Sequence, residues 1–336
     1  MNFDFSDDQY ALRDAAKDFF AGESSADHVR AAWDTETGRS PELWRKMAET
    51  GFVGLTVPEE HGGLGMDEID LVLILEEAGY AALPEPLLET TAVGVPLLRE
   101  AGTETQQKEW LPRIAAGEAV VTVQLAGAAL VADAHIADLL VLQRGDELHA
   151  VPKGAFTCTA QPSLDGARRM FTVDAQTSGD TRMAGGAAEA AAAFDRGAAG
   201  TAAILNGLSQ RMLDMSVAYV QERYQFGRPV GSFQAVKHKL AETLLVVETS
   251  KAAAWNAAYA IAKGLPERST AASVAKAYAS DAELKANYES LQCHGGIGFT
   301  WEHNLHLFLK RGKALEQAYG SAGWHRARLA ESLLGT

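Results

Sequence analysis

The sequence predicts a mainly α protein with a small central β domain, and three observations carry that expectation. Up to about residue 117, apolar side chains recur at helical spacing behind capping signals. From about residue 118 the pattern changes to short β-type runs between turn-prone residues. From about residue 185, alanine-rich and then amphipathic stretches fill most of the remaining chain, as in a helical bundle. The expected divisions are 1–117 for an N-terminal helical domain, 118–184 for a short β domain and 185–336 for a C-terminal bundle.

Ser6 and Gln9 form a capping-box pair, and Leu12, Ala15, Ala16, Phe19 and Phe20 then mark one face of a first helix. Ser40 and Pro41 supply a cap and an N1 proline ahead of Leu43, Trp44 and Met47, with Gly51 closing what reads as the second helix. Residues 59–65, with Gly62, Gly63 and Gly65, are loop chemistry. Helical periodicity resumes from Ile69 to Ala78 and is expected to end at Gly79. Thr103 and Gln106 repeat the capping box before Trp110 and Leu111. The β runs are VVTVQL, DLLVLQ, ELHAVP and MFTVD, ending near Gly185. The alanine-rich run 187–193 reads as helix, because alanine is the best helix former and permits close packing. Breaks near Gly227–Ser232 and Gly264–Ser269 separate the long helices that follow.

With 47% hydrophobic and 22% charged residues among 336, the chain can bury a large core. A net charge of −14 argues against nucleic acid as partner, since phosphate tracking needs clustered Lys and Arg. Cys158 and Cys293 lie far apart, outside any C-x-x-C spacing, so neither a disulfide framework nor a metal site is expected. The acidic start lacks an apolar signal region and no long apolar run occurs, which points to a cytoplasmic protein with no membrane segment.

Some residues suggest chemistry. Arg223 offers a planar five-donor cation suited to a pyrophosphate, Phe226 a flat face, and Gly227 close backbone approach. Taken alone, they read more readily as a solvated arginine beside a core phenylalanine and a helix-ending glycine. Gly295 and Gly296 let backbone amides approach an anion or adenine, with Gln292 able to donate and accept, yet a lone G-G-x-G is usually a turn. Four words in order decide between these readings: Trp44–Gly65 with WRKMAETGFVGLTVPEEHGGLG, Glu76–Pro86 with EEAGYAALPEP, Glu222–Glu242 with ERYQFGRPVGSFQAVKHKLAE, and Leu291–Arg311 with LQCHGGIGFTWEHNLHLFLKR. In these words the chain resembles the acyl-CoA dehydrogenase family along nearly its whole length. The resemblance implies a flavoenzyme of acyl-CoA desaturation, with acyl-CoA as substrate and electron-transfer flavoprotein as acceptor. It also implies that Arg223, Phe226, Gln234, Gln292, Gly295 and Gly296 hold the ADP half of a FAD bound by the neighbouring subunit.

The sequence departs from the family in two ways. Desaturation needs a base for the α-proton, usually a carboxylate. The family's two base positions fall on Tyr319 and Gly197, and a phenol is a poor base at neutral pH. The words T-E-x-x-x-G-S-D and G-x-K-x-[FW]-I-[ST], which flank the flavin ring in the family, are also absent, and Ser321-Ala322-Gly323 lacks the flavin-fixing glutamine. What a subunit gives its own flavin is lost, whereas what it gives its neighbour's is kept. The pattern resembles the smaller, base-lacking subunit of actinobacterial α2β2 acyl-CoA dehydrogenases, which implies a longer catalytic paralogue as partner. One alternative is a self-sufficient enzyme with its base moved to Glu316 or Asp195, although both read as surface charges. Another is a flavin monooxygenase or binding module on the same fold. Gly197 and Ala198 suggest room for a wide acyl group, or simply close helix packing.

Overall fold

A computed structural model describes residues 4–335. The chain divides into two compact units, one of Met1–Arg30, Val72–Leu83 and Ala198–Thr336, the other of Ala31–Leu71 and Pro84–Gly197.

In the second unit the predicted caps form. Helix α1 (Asp7–Glu23), which belongs to the first unit, already shows the device: Ser6 and Gln9 close a reciprocal capping box. Helix α2 (Ala26–Asp34) follows, an element that the sequence reading passed over although Ser25 caps it through His28 N. Helix α3 (Pro41–Glu49) starts on Ser40, and Gly51 (φ +86°) ends the segment as expected. Helix α4 (Glu68–Tyr80) runs through Gly79, which corrects the expected stop. A Cβ at Gly79 would lie 2.1 Å from the Ile204 carbonyl oxygen, so this glycine exists for close helix approach. Residues Leu88–Gly94 form a fully buried π-helical segment leading into α5 (Val95–Ala101), and α6 (Glu104–Ala115) carries the Thr103–Gln106 capping box.

The β region holds two sheets. Strands β1 (Val121–Gln124), β2 (Val131–Ala132), β3 (Leu139–Arg144), β4 (Glu147–Pro152), β5 (Phe156–Gln161), β6 (Met170–Ala175) and β7 (Arg182–Gly186) arrange as β1-β3-β4-β7 and β2-β6-β5. Only β1 and β3 pair in parallel. Val131, Ala134, Leu140, Leu142, Val151 and Phe171 form the core between them. Strand β5 was not foreseen, because FTCTAQ has only partial burial on alternate positions and no sustained apolar run.

Helix α7 (Ala187–Glu222) follows directly, confirming helix for the alanine-rich run. A two-stranded hairpin, β8 (Tyr224–Gln225) and β9 (Arg228–Pro229), then leads into α8 (Gln234–Ala262), α9 (Arg268–His294), α10 (Leu305–Glu316) and α11 (Ala322–Leu334). Small residues bring these helices close. A Cβ at Gly207 would meet the Glu76 carbonyl oxygen at 1.9 Å, and Ala254, Ala257, Ala258, Ala272, Ala275 and Ala279 line buried faces. Trp255 donates its indole N–H to Glu76 Oε1 at 2.7 Å, and burial pushes that carboxyl up to about 8.

Candidate functional site

The words at 222–242 and 291–311 meet in the bundle. Tyr219, one turn before Arg223, stacks on His294, the last residue of α9, with ring centroids 4.6 Å apart and an interplanar angle of 24°. Ser290 Oγ also donates to the Met212 carbonyl at 3.1 Å, tying the same two helices together. The end of α7 with its hairpin and the glycine turn after α9 are therefore held beside each other.

Phe226 sits at the hairpin tip with φ +52° and is 92% exposed, so the core-phenylalanine reading is wrong. A left-handed aromatic residue standing in solvent is costly twice over, in backbone strain and in unburied apolar area. Its ring meets Phe233 edge-on at 6.2 Å, and the Arg228 guanidinium lies 4.0 Å over Phe233. Arg223 is exposed, and among the described residues its guanidinium makes no hydrogen bond or ion pair. Gln234 opens α8, with its amide nitrogen 2.9 Å from His238 Nε2. Gln292 is exposed on the last turn of α9. Gly295 (φ +63°) and Gly296 are exposed, and a Cβ at either would enter open space, so no internal packing demands Gly296. A planar cation, a flat aromatic face and bare backbone suit a nucleotide pyrophosphate and base.

Both base positions lack a carboxylate. Gly197 is buried within α7. Tyr319 is half-buried in the turn after α10, with φ +50°, and Gly320 follows at φ +91°. That turn is pinned: Lys276 Nζ donates to the carbonyls of Glu316 (2.8 Å) and Gly320 (3.0 Å) and to Ser280 Oγ (3.2 Å), while His325 Nε2 donates to the Tyr319 carbonyl at 2.8 Å. Lys276 is fully buried, and desolvation pushes its ammonium down to about 8 against the pull of Glu316 and Glu283. Glu316 is half-buried, with its carboxylate 2.9 Å from Lys313 Nζ. Asp195 is 2% exposed, which corrects the expectation of a surface charge there.

The sequence reading missed two features. Glu283 on α9 is fully buried and faces Gly312 on α10, where a Cβ would lie 2.0 Å from Glu283 Oε1. Burial pushes this carboxyl up to about 7. The second is a group of imidazoles, His294, His303 and His306, inside the word 291–311 itself. Their spacing in sequence fits no metal motif, and they converge only once the turn has folded. Among the described residues no group of three or more His, Cys, Asp or Glu side chains is placed to hold a metal ion, and no helix is long and apolar enough to cross a membrane.

Residues 6–118 match the acyl-CoA dehydrogenase N-terminal domain, and residues 184–334 match the C-terminal domain of the same family. The chain belongs to the acyl-CoA dehydrogenase family. The unmatched interval coincides with the β region, where only Leu125–Leu130 joins β1 to β2 and neither flavin-ring word is present. Among its relatives is the acyl-CoA dehydrogenase IpdE2 of Mycolicibacterium smegmatis, 35% identical over 94% of this chain and 95% of that protein. Acyl-CoA dehydrogenase FadE34 of Mycobacterium tuberculosis is 32% identical, matching 96% of this chain but 47% of its own length. In fold, the chain is similar to a structure of the ChsE4-ChsE5 complex from Mycobacterium tuberculosis, with a TM-score of 0.92 at 23% identity and full coverage of both chains. Membership in the family makes this a flavin-dependent oxidoreductase system acting on acyl-CoA.

Proposed function

We propose that this chain is the supporting subunit of a heteromeric acyl-CoA dehydrogenase, completing the ADP half of a FAD whose ring and catalytic base belong to a paralogous chain. The observation that carries the reading is the outward presentation of Phe226 and the unpaired Arg223, in a chain with no carboxylate at Tyr319 or Gly197. Within this chain a strained, exposed aromatic gains only the edge contact with Phe233, whereas against a neighbour's nucleotide both its face and its exposure are used. Bound FAD supplies hydride acceptance during desaturation of the acyl chain. On this reading Arg223 neutralises pyrophosphate charge, Phe226 covers a ring, Gly295 and Gly296 bring backbone close, and Gln234 and Gln292 supply polar contacts. The partner contributes the α-proton base, acyl-CoA is the substrate, and an electron-transferring flavoprotein takes the electrons.

Two relatives support a paired arrangement. One fold neighbour is itself a complex of ChsE4 and ChsE5, and FadE34 is about twice as long as the part this chain matches. A self-sufficient enzyme using Glu316 fits less well, since that carboxylate is committed to Lys313. The test is flavin content after separate production. The lone chain purifies with well under one FAD per subunit, measured by absorbance after denaturation. A stoichiometric yellow preparation with acyl-CoA turnover abolished by Glu316→Gln overturns the reading.

A further inference from the structure

We propose that the histidine stack behind the Gly295–Phe299 turn is an acid-sensitive latch: protonation of its imidazoles frees the turn and so loosens the nucleotide end of a bound flavin. This rests on the assignment of that turn to FAD.

The latch is built from rings. His294 stacks on Tyr219 at 4.6 Å and meets His303 at 4.6 Å with a 60° tilt, while Tyr219 meets His303 edge-on at 6.3 Å. Trp301 packs on His306 at 4.6 Å, and the Lys310 ammonium lies 3.9 Å over Trp301. The first two imidazoles are held neutral by geometry. His294 is 3% exposed, and its Nδ1–H donates to the Ser290 carbonyl at 2.8 Å, leaving Nε2 buried without a hydrogen-bond partner. A proton on Nε2 would be a buried cationic donor with no acceptor. His303 Nδ1 accepts the backbone N–H of Leu305 at 3.1 Å, at the start of α10, and a proton on Nδ1 breaks that bond.

The surrounding charges act in the same direction. Arg30, on α2, bonds Asn304 Oδ1 at 2.9 and 3.1 Å, placing a guanidinium beside the turn, and Lys310 adds a second cation from α10. Cys293, one residue before His294, faces the Lys239–Glu289 ion pair, whose two charges offset each other at 2.6 Å. The turn's own carboxylate, Glu302, is exposed. Opposing these, the C-terminal end of α9 favours a cation on His294, an effect of at most a few-fold for a residue already bonded to the last turn. Desolvation outweighs it: burial is the largest cause holding His294, His303 and His306 below the ordinary 6.5, with Arg30 lowering the latter two and His306 reaching about 4.

The direction in pH follows. A histidine whose value is depressed in the closed turn binds its proton only when the turn opens, so closure is fully favoured above pH 6.5 and weakens as pH falls below it. For His306 alone, moving from pH 7.5 to 5.5 raises the opening equilibrium about tenfold, and His294 and His303 add to this. Burial and neutral stacking keep the turn shut at neutral pH, and up to three protons open it.

The test has two arms. In the lone chain, hydrogen exchange across residues 291–306, corrected for the intrinsic pH dependence of exchange, is expected to lose tenfold or more of its protection between pH 7.5 and 5.5. His306→Phe, His303→Phe and His294→Phe, made separately, keep the ring contacts without the titration; His306→Phe should remove about a tenfold share of that dependence, and the other two should each reduce it. Equal loss in wild type and all three variants overturns the latch. In the complex with the partner, FAD affinity is expected to fall over the same range in wild type and less in His303→Phe. A latch that opens while FAD affinity ignores pH overturns the coupling to flavin. Separately, flavin affinity at pH 7.5 that is unchanged in Arg223→Ala identifies a failure of the underlying FAD assignment.

Discussion

Gly312→Ala tests whether the α9–α10 packing is as tight as the contact between Gly312 and Glu283 implies. The added Cβ would sit 2.0 Å from Glu283 Oε1 and 2.5 Å from its Cδ, where about 3.4 Å is the comfortable limit. Glu283 is fully buried, and Asn287 Nδ2 donates to the same Oε1 at 3.3 Å, so the carboxyl cannot swing aside into water. Overpacking a closed site costs about 1–3 kcal/mol, and disturbing the buried carboxyl's hydrogen bond adds about 1 kcal/mol. Against this, glycine to alanine inside a helix returns about 1 kcal/mol. The net expectation for Gly312→Ala is a loss of about 1–3 kcal/mol. In a Glu283→Ala background the obstacle is gone and only the helix gain remains, so the same change should stabilise by about 0.5–1 kcal/mol. The two sites are thus coupled by about 2–4 kcal/mol, well above the scatter of additive pairs. Urea unfolding of the four proteins, followed by far-UV circular dichroism, measures the cycle. A neutral or stabilising Gly312→Ala in the wild-type background, or additivity within about 0.5 kcal/mol, refutes the packing argument.

Three further outcomes follow. Glu283 is raised from an ordinary 4.5 to about 7, so its contribution to stability declines as pH rises between those values. Glu283→Gln should therefore stabilise by up to about 3 kcal/mol at pH 8 and little at pH 4, read by unfolding at both pH values. Gly79→Ala places a Cβ 2.1 Å from the Ile204 carbonyl oxygen, with backbone that cannot yield cheaply, so thermal unfolding should show a loss at or above about 3 kcal/mol. Arg223→Ala, in a complex with the catalytic partner, should weaken FAD by roughly ten- to a hundredfold while size-exclusion chromatography shows the assembly intact, as befits one charge-assisted bond of about 1.5–3 kcal/mol.

The capping boxes at Ser6–Gln9 and Thr103–Gln106 were legible in the sequence because both halves of each motif lie within one helical turn. Gly51 was legible for the same reason, since a left-handed residue after a helix is a local event. Gly79 was misread because its cause is tertiary: nothing near it in sequence announces that the Ile204 carbonyl will press against it. Asp195 failed similarly, since nothing in its local sequence announces that it is 2% exposed. The family words located the hairpin and the glycine turn, but not their contact through Tyr219 and His294, because Tyr219 lies just ahead of the recognised word. The histidines inside LQCHGGIGFTWEHNLHLFLKR were in plain view, yet the step of nine residues from His294 to His303 follows neither helix nor strand periodicity.

The outward aromatics have a cost before assembly. Phe226, Leu245, Tyr288, Phe299 and Trp301 are each more than 60% exposed in the single chain, all between residues 226 and 301. A nascent copy without its partner carries these residues into a crowded solution, where self-association and proteolysis compete with correct pairing. On the proposed assembly, synthesis of the two chains in balanced amounts governs yield: overproduction of this chain alone should lower its soluble fraction, and co-expression should raise it.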